Sequence, residues 1–284
     1  MLARFGIDPV PAASTINSIL KRNGYIDPQE SAKHTKWKSF EADAPNDLWQ
    51  MDFKGHFQIA QKRRHPLTIL DDHSRYSICI MACENEIRAT VQSALTEGFR
   101  TYGLPRAILC ENGPPWGDED SRYTRLTVWL MRMRIRVPYA RSLHPQTRGK
   151  AERFHRTLKA EVLQYCGGLD LNECQSGFDQ WRVLYNTDRP HEALDMAVPA
   201  SRYGVSPRPF PERLPPVEYG PSDHVRKIQD GGWVSYKSRE FRISKAFCAG
   251  RIAIRPTVID GETALYFCDQ KIGHINLRGS HEHP

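Results

Sequence analysis

The 284-residue sequence predicts an α/β protein with a mixed sheet covered by helices, followed by a small all-β domain. Residues 48–59, 64–72 and 75–83 have the alternation and the tight turns of three antiparallel strands. From residue 86 to residue 186, helical periodicity alternates with short apolar segments, which is the order of helices and parallel strands in one sheet. After residue 222, six short strand-like segments separated by Asp-Gly turns predict a small barrel.

The chain begins with a short helix and a polar connecting segment. Residues 1–27 predict one helix with an apolar face, which Ser14 is suited to cap and Gly24 to end. Residues 28–46 are polar and predict a linker.

Residues 47–203 are expected to form the main domain, because the three strands and all later segments with helical periodicity lie within them. The helices are recognised by apolar residues that recur at three- and four-residue steps. The elements predicted after the three strands are a helix at about 86–102, a strand ending at Cys110, a helix at 119–132, a strand at 135–139, a helix that contains Glu152 and a helix at 171–186.

Six prolines in residues 204–222 predict a stiff, extended linker, and residues 223–284 predict the barrel. Basic side chains of the barrel, such as Arg242 and Arg251, are suited to bind a polyanion. An ordinary barrel that mediates protein contacts is the alternative.

Three acidic residues fall in positions that suggest a common site. Asp52 interrupts the first strand segment, Glu111 follows the strand that ends at Cys110, and Glu152 lies on a helix. Ala151, Phe154, Leu158, Val162 and Tyr165 predict the buried stripe of that helix, and basic side chains surround its acid. A solvated helix in which Glu152 pairs with an arginine is the simpler interpretation.

Positive charge is concentrated around the predicted acids. The chain has a net charge of +7, and residues 101–160 contain 12 Lys and Arg against five Asp and Glu. The remainder of the chain is balanced. This distribution is expected if phosphates must approach the acids.

Other features exclude several classes of protein. The sequence has no long apolar segment and no secretory signal pattern, so we expect a cytoplasmic protein without a membrane partner. The seven cysteines are scattered and lack zinc-site spacing, so we expect them to be reduced.

Five motifs resemble those of the retroviral-integrase-type transposases of bacterial insertion sequences, the DDE recombinases. They occur in the family's order over roughly residues 45–203, and this combination is far more specific than any single motif. The motifs are WQMD (49–52), TILDDHSRY (68–76), ENGPP (111–115), HPQTRGKAE (144–152) and YNTDRPHEAL (185–194).

The resemblance implies a ribonuclease-H-like core at 47–203, an SH3-like barrel at 223–284 and a partial helix-turn-helix at 1–27. It implies cleavage of DNA ends and strand transfer to target DNA, catalysed by Asp52, Glu111 and Glu152. These carboxylates would hold two Mg²⁺ or Mn²⁺ ions, since Mg²⁺ prefers oxygen ligands. The expected DNA-binding residues are Arg148, Lys150, His155, Arg156 and Lys159.

The family also implies a homo-oligomer, because two element ends must be brought together. Two alternatives have the same core. A ribonuclease-H-like nuclease would hydrolyse nucleic acid without strand transfer, and a weakened transposase relic would bind DNA with little catalysis.

One residue departs from the family pattern, since Glu111 occupies a position where the family has aspartate. The extra methylene moves the carboxylate by about 1.5 Å, and a misplacement of about 1 Å can lower a catalytic rate on the order of a hundredfold. We predict that Glu111→Asp increases Mg²⁺-dependent cleavage of labelled DNA ends at least several-fold, because the shorter side chain restores the family's carboxylate position. A lower rate would mean that the site is adapted to glutamate.

Overall fold

The computed structural model describes residues 6, 8–26, 41–59, 62–110, 116, 123–138 and 149–278. In the main domain it has an α/β architecture, as the sequence predicts. The elements up to residue 187 are α1 (Ala13–Arg22), β1 (Trp49–Phe53), β2 (Phe57–Ile59), β3 (Lys62–Asp71), β4 (Ser77–Cys83), α2 (Arg88–Tyr102), β5 (Ile108–Cys110), α3 (Arg125–Arg132), α4 (Gly149–Glu161) and α5 (Leu171–Thr187).

The central strand of the sheet is β3. It pairs antiparallel with β1 and β4 on its two sides, and β2 pairs with its first residues. On the other side of β1 lies β5, which runs parallel to it. The mixed sheet therefore combines an antiparallel meander with a parallel strand that returns after α2.

Helices cover both faces of this sheet. Alternate residues of its strands point to opposite faces, and both faces carry apolar side chains that must be buried. Leu67 and Ile69 of β3 face a core that contains residues of α2 and α3, whereas Leu70 faces a second core. This second core contains Phe154 of α4 and Phe178 of α5.

Some predicted boundaries were wrong. The expected strand 48–59 is divided into β1 and β2, and the expected strand 135–139 is reduced to one bridge between Ala107 and Arg136. The first helix begins at Ala13, and its preceding residue caps it without a side-chain hydrogen bond, so Ser14 is not the cap. The helix expected to begin at residue 119 begins at Arg125, with Thr124 as its N-cap.

The proline-rich segment packs along the main domain instead of acting as a free spacer. The Leu104 N–H donates to Arg208 O over 2.7 Å, and Phe210 packs against Phe99 in the first core. Gly103 allows this approach, since its φ is +74° and a Cβ there would lie 2.7 Å from Ser206 O. A larger side chain at Gly103 would push the segment away.

The C-terminal strands form two small antiparallel sheets, in the order β6, β9, β10, β11 and in the pair β7, β8. They pack on α3, because Met131 belongs to their core and Gln270 Nε2 donates to Ile135 O over 3.0 Å. No helix in the described part of the chain is long and apolar enough to cross a membrane. The strands are β6 (His224–Lys227), β7 (Trp233–Tyr236), β8 (Arg239–Arg242), β9 (Arg251–Pro256), β10 (Glu262–Phe267) and β11 (Gln270–Asn276).

Candidate active site

The pleat of β1 directs Asp52 toward α4. Trp49 and Met51 are buried in the first core, so the alternate residues Gln50 and Asp52 face the opposite side of the sheet. Asp52 lies near the end of the strand, and its side chain is 22% exposed. The acid that interrupts the apolar pattern is therefore on the face that α4 covers.

The apolar stripe of α4 sets the direction of Glu152. Phe154 and Leu158 are buried in the second core, where Phe154 packs against Trp181 and Tyr185 of α5. Glu152 is exposed in the first turn, where the helix dipole favours an acid. The expected stripe ends early, because α4 stops at Glu161 and Tyr165 is 70% exposed.

A histidine on α4 connects the helix to Asp52. His155 Nδ1 lies 3.7 Å from Asp52 Oδ2, and His155 Nε2 is hydrogen-bonded to Thr68 Oγ1 at 2.7 Å. Thr68 is the register partner of Asp52 across β1 and β3. Because Glu152 precedes His155 by three residues, the two occupy the same side of α4. Asp52 is therefore 3.7 Å from His155, and Glu152 lies about one helical turn before that histidine.

Burial keeps His155 neutral. The pKa of its imidazole is lowered to about 4, mainly by burial and secondarily by the positive charge of Lys54. The distance of 3.7 Å to Asp52 is too long for a hydrogen bond, so the neutral ring is a neighbour of this carboxylate and not its ion-pair partner.

Two adjacent acids at the end of β3 are the centre of a buried polar network. The Asp72 carboxylate accepts hydrogen bonds from Ala42 N, Gln50 Nε2 and Lys150 Nζ over 2.7, 2.5 and 2.7 Å. Asp71 accepts hydrogen bonds from Asn46 and Ser74, while burial raises the pKa of its carboxyl.

Lys150 is part of this network rather than of the helix surface. Its side chain is 8% exposed, and burial lowers the pKa of its ammonium to about 8, although Asp72 opposes this shift. His155 is also buried, at 6% exposure. This burial does not fit the expected contact of either side chain with DNA.

The other predicted site residues divide into two groups. Arg156 and Lys159 are exposed on the side of α4 that carries Glu152, as their four- and seven-residue spacing requires. Glu111 and Arg148 lie outside the described residues. Within the described residues, no group of three or more His, Cys, Asp or Glu side chains could hold a metal ion.

The sequence interpretation missed Thr68, Gln50 and Asp72 as parts of the site. Little in the sequence distinguished these three residues as functional, because each is a polar residue within an apolar strand segment or at its end. Only the strand register and the position of α4 connect them to the predicted acids.

Comparisons with known proteins assign domains to most of the chain. Residues 42–145 and residues 133–199 each match an integrase core domain, and residues 223–283 match the C-terminal domain of IS481 family transposases. The chain therefore carries an integrase core and a transposase C-terminal domain. An integrase core indicates the polynucleotidyl transferase family.

Relatives of this integrase core come from bacterial insertion elements. An uncharacterized 31.7 kDa protein of insertion element IS407, from Burkholderia multivorans, is 25% identical over 157 residues, covering 55% of each chain. An uncharacterized 39.2 kDa protein of insertion element IS476, from Xanthomonas euvesicatoria, is 27% identical over 156 residues, covering 55% of this chain and 44% of that protein. The chain thus matches about half the length of these relatives.

Solved integrases are more distant neighbours of the integrase core. The HTLV-2 integrase catalytic core domain in complex with magnesium is 17% identical with a TM-score of 0.47, covering 58% of this chain and all of that chain. A simian T-cell lymphotropic virus intasome in complex with PP2A regulatory subunit B56 gamma is 17% identical with a TM-score of 0.49, covering 88% of this chain and 85% of that chain.

The hydrogen bond between Thr68 and His155 predicts an energetic coupling between β3 and α4. Thr68→Val should leave the imidazole nitrogen buried without its partner and should cost about 1–3 kcal/mol in the free energy of unfolding. In a His155→Leu background the same substitution should cost about 1 kcal/mol less, because no ring nitrogen remains to be satisfied. Urea unfolding of the four proteins measures this coupling, and equal costs in both backgrounds would contradict the contact.

Proposed function

We propose that this protein is a DNA transposase that cleaves the ends of its element and transfers the 3′ ends to target DNA. The observation that supports this best is that His155, one helical turn after Glu152 on α4, lies 3.7 Å from Asp52 on β1. The integrase core and the transposase C-terminal domain support the same class of reaction. We propose that it acts in the cytoplasm.

The donor set fits a divalent metal ion of the Mg²⁺ type. Asp52 and Glu152 offer hard carboxylate oxygens near the surface, and the nearby His155 holds its ring toward Thr68. We propose that Glu111 supplies the third carboxylate and that two ions are bound. When bound, such ions activate the attacking hydroxyl and stabilise the leaving oxygen of a phosphodiester.

The protein's own residues have defined tasks in this proposal. Asp52 and Glu152 hold the cations. His155 lies beside Asp52 and is hydrogen-bonded to Thr68, the residue that pairs with Asp52 across β1 and β3. Arg156 and Lys159 bind DNA phosphates beside the acids, whereas we reassign Lys150 and His155 to support within the protein. Arg148 remains a proposed DNA contact. At least two protomers are needed, because one reaction joins two element ends.

The acids provide the direct test of this function. Asp52→Asn and Glu152→Gln each remove a ligand charge at nearly constant volume, so each should lower end cleavage and strand transfer at least about a hundredfold. Both variants should fold and should bind DNA like the wild type. Glu161→Gln, at the end of the same helix, is the matched control and should remain active.

The products of this assay separate the proposal from its alternatives. Joined products from the wild type support a transposase, while hydrolysis alone indicates a nuclease. Activity in either acid variant would remove that residue from the site. An inactive wild type that still binds DNA indicates a relic.

The exposed basic residues of α4 predict how binding depends on salt. Replacing both Arg156 and Lys159 with Ala should weaken DNA binding and reduce the slope of log affinity against log salt concentration by up to about 2, because each phosphate contact releases about one counterion. Arg88 and Arg213 are exposed and belong to segments that pack against the first core, across the sheet from α4, so replacing both with Ala should leave the slope unchanged. Fluorescence anisotropy with labelled DNA measures both, and equal slopes would exclude α4 as the DNA surface.

A further inference from the structure

The carboxylate of Asp72 joins three separate parts of the main domain. Its residue is 1% exposed, and its two oxygens accept hydrogen bonds from the segment before β1, from β1 itself and from α4. The donors are the Ala42 N–H, the Gln50 amide and the Lys150 ammonium. Lys150 Nζ also donates to the Asp72 carbonyl oxygen over 3.2 Å, so this residue holds the lysine at two points.

Two of these donors each lie two residues before a candidate metal ligand in the chain. Gln50 precedes Asp52 by two residues on β1, and Lys150 precedes Glu152 by two residues on α4. Alternation along a strand puts Gln50 and Asp52 on the same face. On a helix, a two-residue step turns the side chain to roughly the opposite side, so a buried Lys150 leaves Glu152 pointing outward.

We infer that Lys150, Asp72 and Gln50 are positioning residues, which fix the separation of the Asp52 and Glu152 carboxylates for a divalent cation. This inference rests on the proposed function, which identifies Asp52 and Glu152 as cation ligands. It assigns Lys150 a role in cation binding, although the lysine itself does not touch the cation. Support of this kind behind metal ligands commonly changes affinity or activity by about 10- to 100-fold.

The composition of the network supports positioning over simple stabilisation. A buried ion pair is a poor source of stability, because desolvation of both charges offsets their attraction and an apolar pair of similar size often does as well. The Lys150–Asp72 pair instead provides a defined geometry, because the Lys150 ammonium contacts both a carboxylate oxygen and the carbonyl oxygen of Asp72. The network therefore sets where α4 begins relative to β1.

The test measures cation binding without DNA and without cleavage. Mn²⁺ is titrated into the full chain, and free Mn²⁺ is followed by electron paramagnetic resonance. The combined variant Lys150→Met with Asp72→Asn removes the pair without leaving one buried charge, and it should weaken Mn²⁺ binding by about 10- to 100-fold. Affinity for DNA in metal-free buffer should stay within about twofold, because no phosphate contact in the proposed α4 surface is removed.

Two further proteins make the result specific. Gln50→Met removes only the contact of β1 and should weaken Mn²⁺ binding by a smaller factor; it also serves as the test if the combined variant does not fold. Arg64→Met is the control, because it removes another largely buried basic side chain, paired with Glu84 at the far end of β3. It should bind Mn²⁺ like the wild type.

Several results would overturn the inference. It fails if the folded combined variant binds Mn²⁺ as tightly as the wild type, if the wild type binds no Mn²⁺, or if the loss is in DNA affinity instead. It also fails if Gln50→Met, tested in place of an unfolded combined variant, binds Mn²⁺ normally. A wild type that binds Mn²⁺ but cleaves no DNA ends overturns only the proposed function, since positioning of the carboxylates is still measured by the titration.

Discussion

The packing of α4 against the sheet is the constraint on which the candidate site depends. Phe154 and Leu158 enter the core formed with α5, and this fixes the rotation of the helix about its axis. With that rotation set, His155 meets Asp52 and Thr68, and Glu152 is directed outward one turn earlier. A rotation of one residue, about 100°, would carry His155 away from Asp52 and Thr68.

Buried polar groups then restrict the position of α4 along the sheet. Apolar contacts tolerate small shifts, whereas a buried charge without its partners carries a large desolvation cost. The buried Asp72 has Ala42, Gln50 and Lys150 as hydrogen-bond partners, and the buried Asp71 has Asn46 and Ser74. The two acids at the end of β3 therefore hold the first strand, its preceding segment and the start of α4 together.

Periodicity in the sequence was sufficient to predict the fold class and most of the elements. The alternation around Asp52 predicted a strand, and the spacing of Phe154 and Leu158 predicted the buried face of α4. Where local signals compete with tertiary contacts, prediction failed: Tyr165 continues the apolar spacing but lies beyond the end of α4. The prolines at 204–222 predicted a stiff linker, and Phe210 and Arg208 attach this segment to the main domain through contacts that local composition does not reveal.

The sequence was sufficient to propose the acids of the candidate site, but not the contacts that support them. Strand and helix periods place Asp52 and Glu152 on surfaces, and the basic residues near Glu152 indicated a polyanion. The roles of Lys150 and His155 could not be read in the same way, because charge alone does not tell whether a side chain faces solvent or a buried partner. Their burial depends on long-range contacts to Asp72 and Thr68, which are 78 and 87 residues distant in the chain.

The convergence of Asp52 and Glu152 on one cation is the central claim, and a crystal of the wild-type protein grown with Mn²⁺ tests it most directly. The account predicts an anomalous difference peak within coordination distance of a carboxylate oxygen of Asp52 and of Glu152, at about 2.0–2.3 Å as for other hard divalent ions bound by oxygen. A peak that contacts neither acid, or one that contacts a single acid with the other directed away from it, would contradict the account.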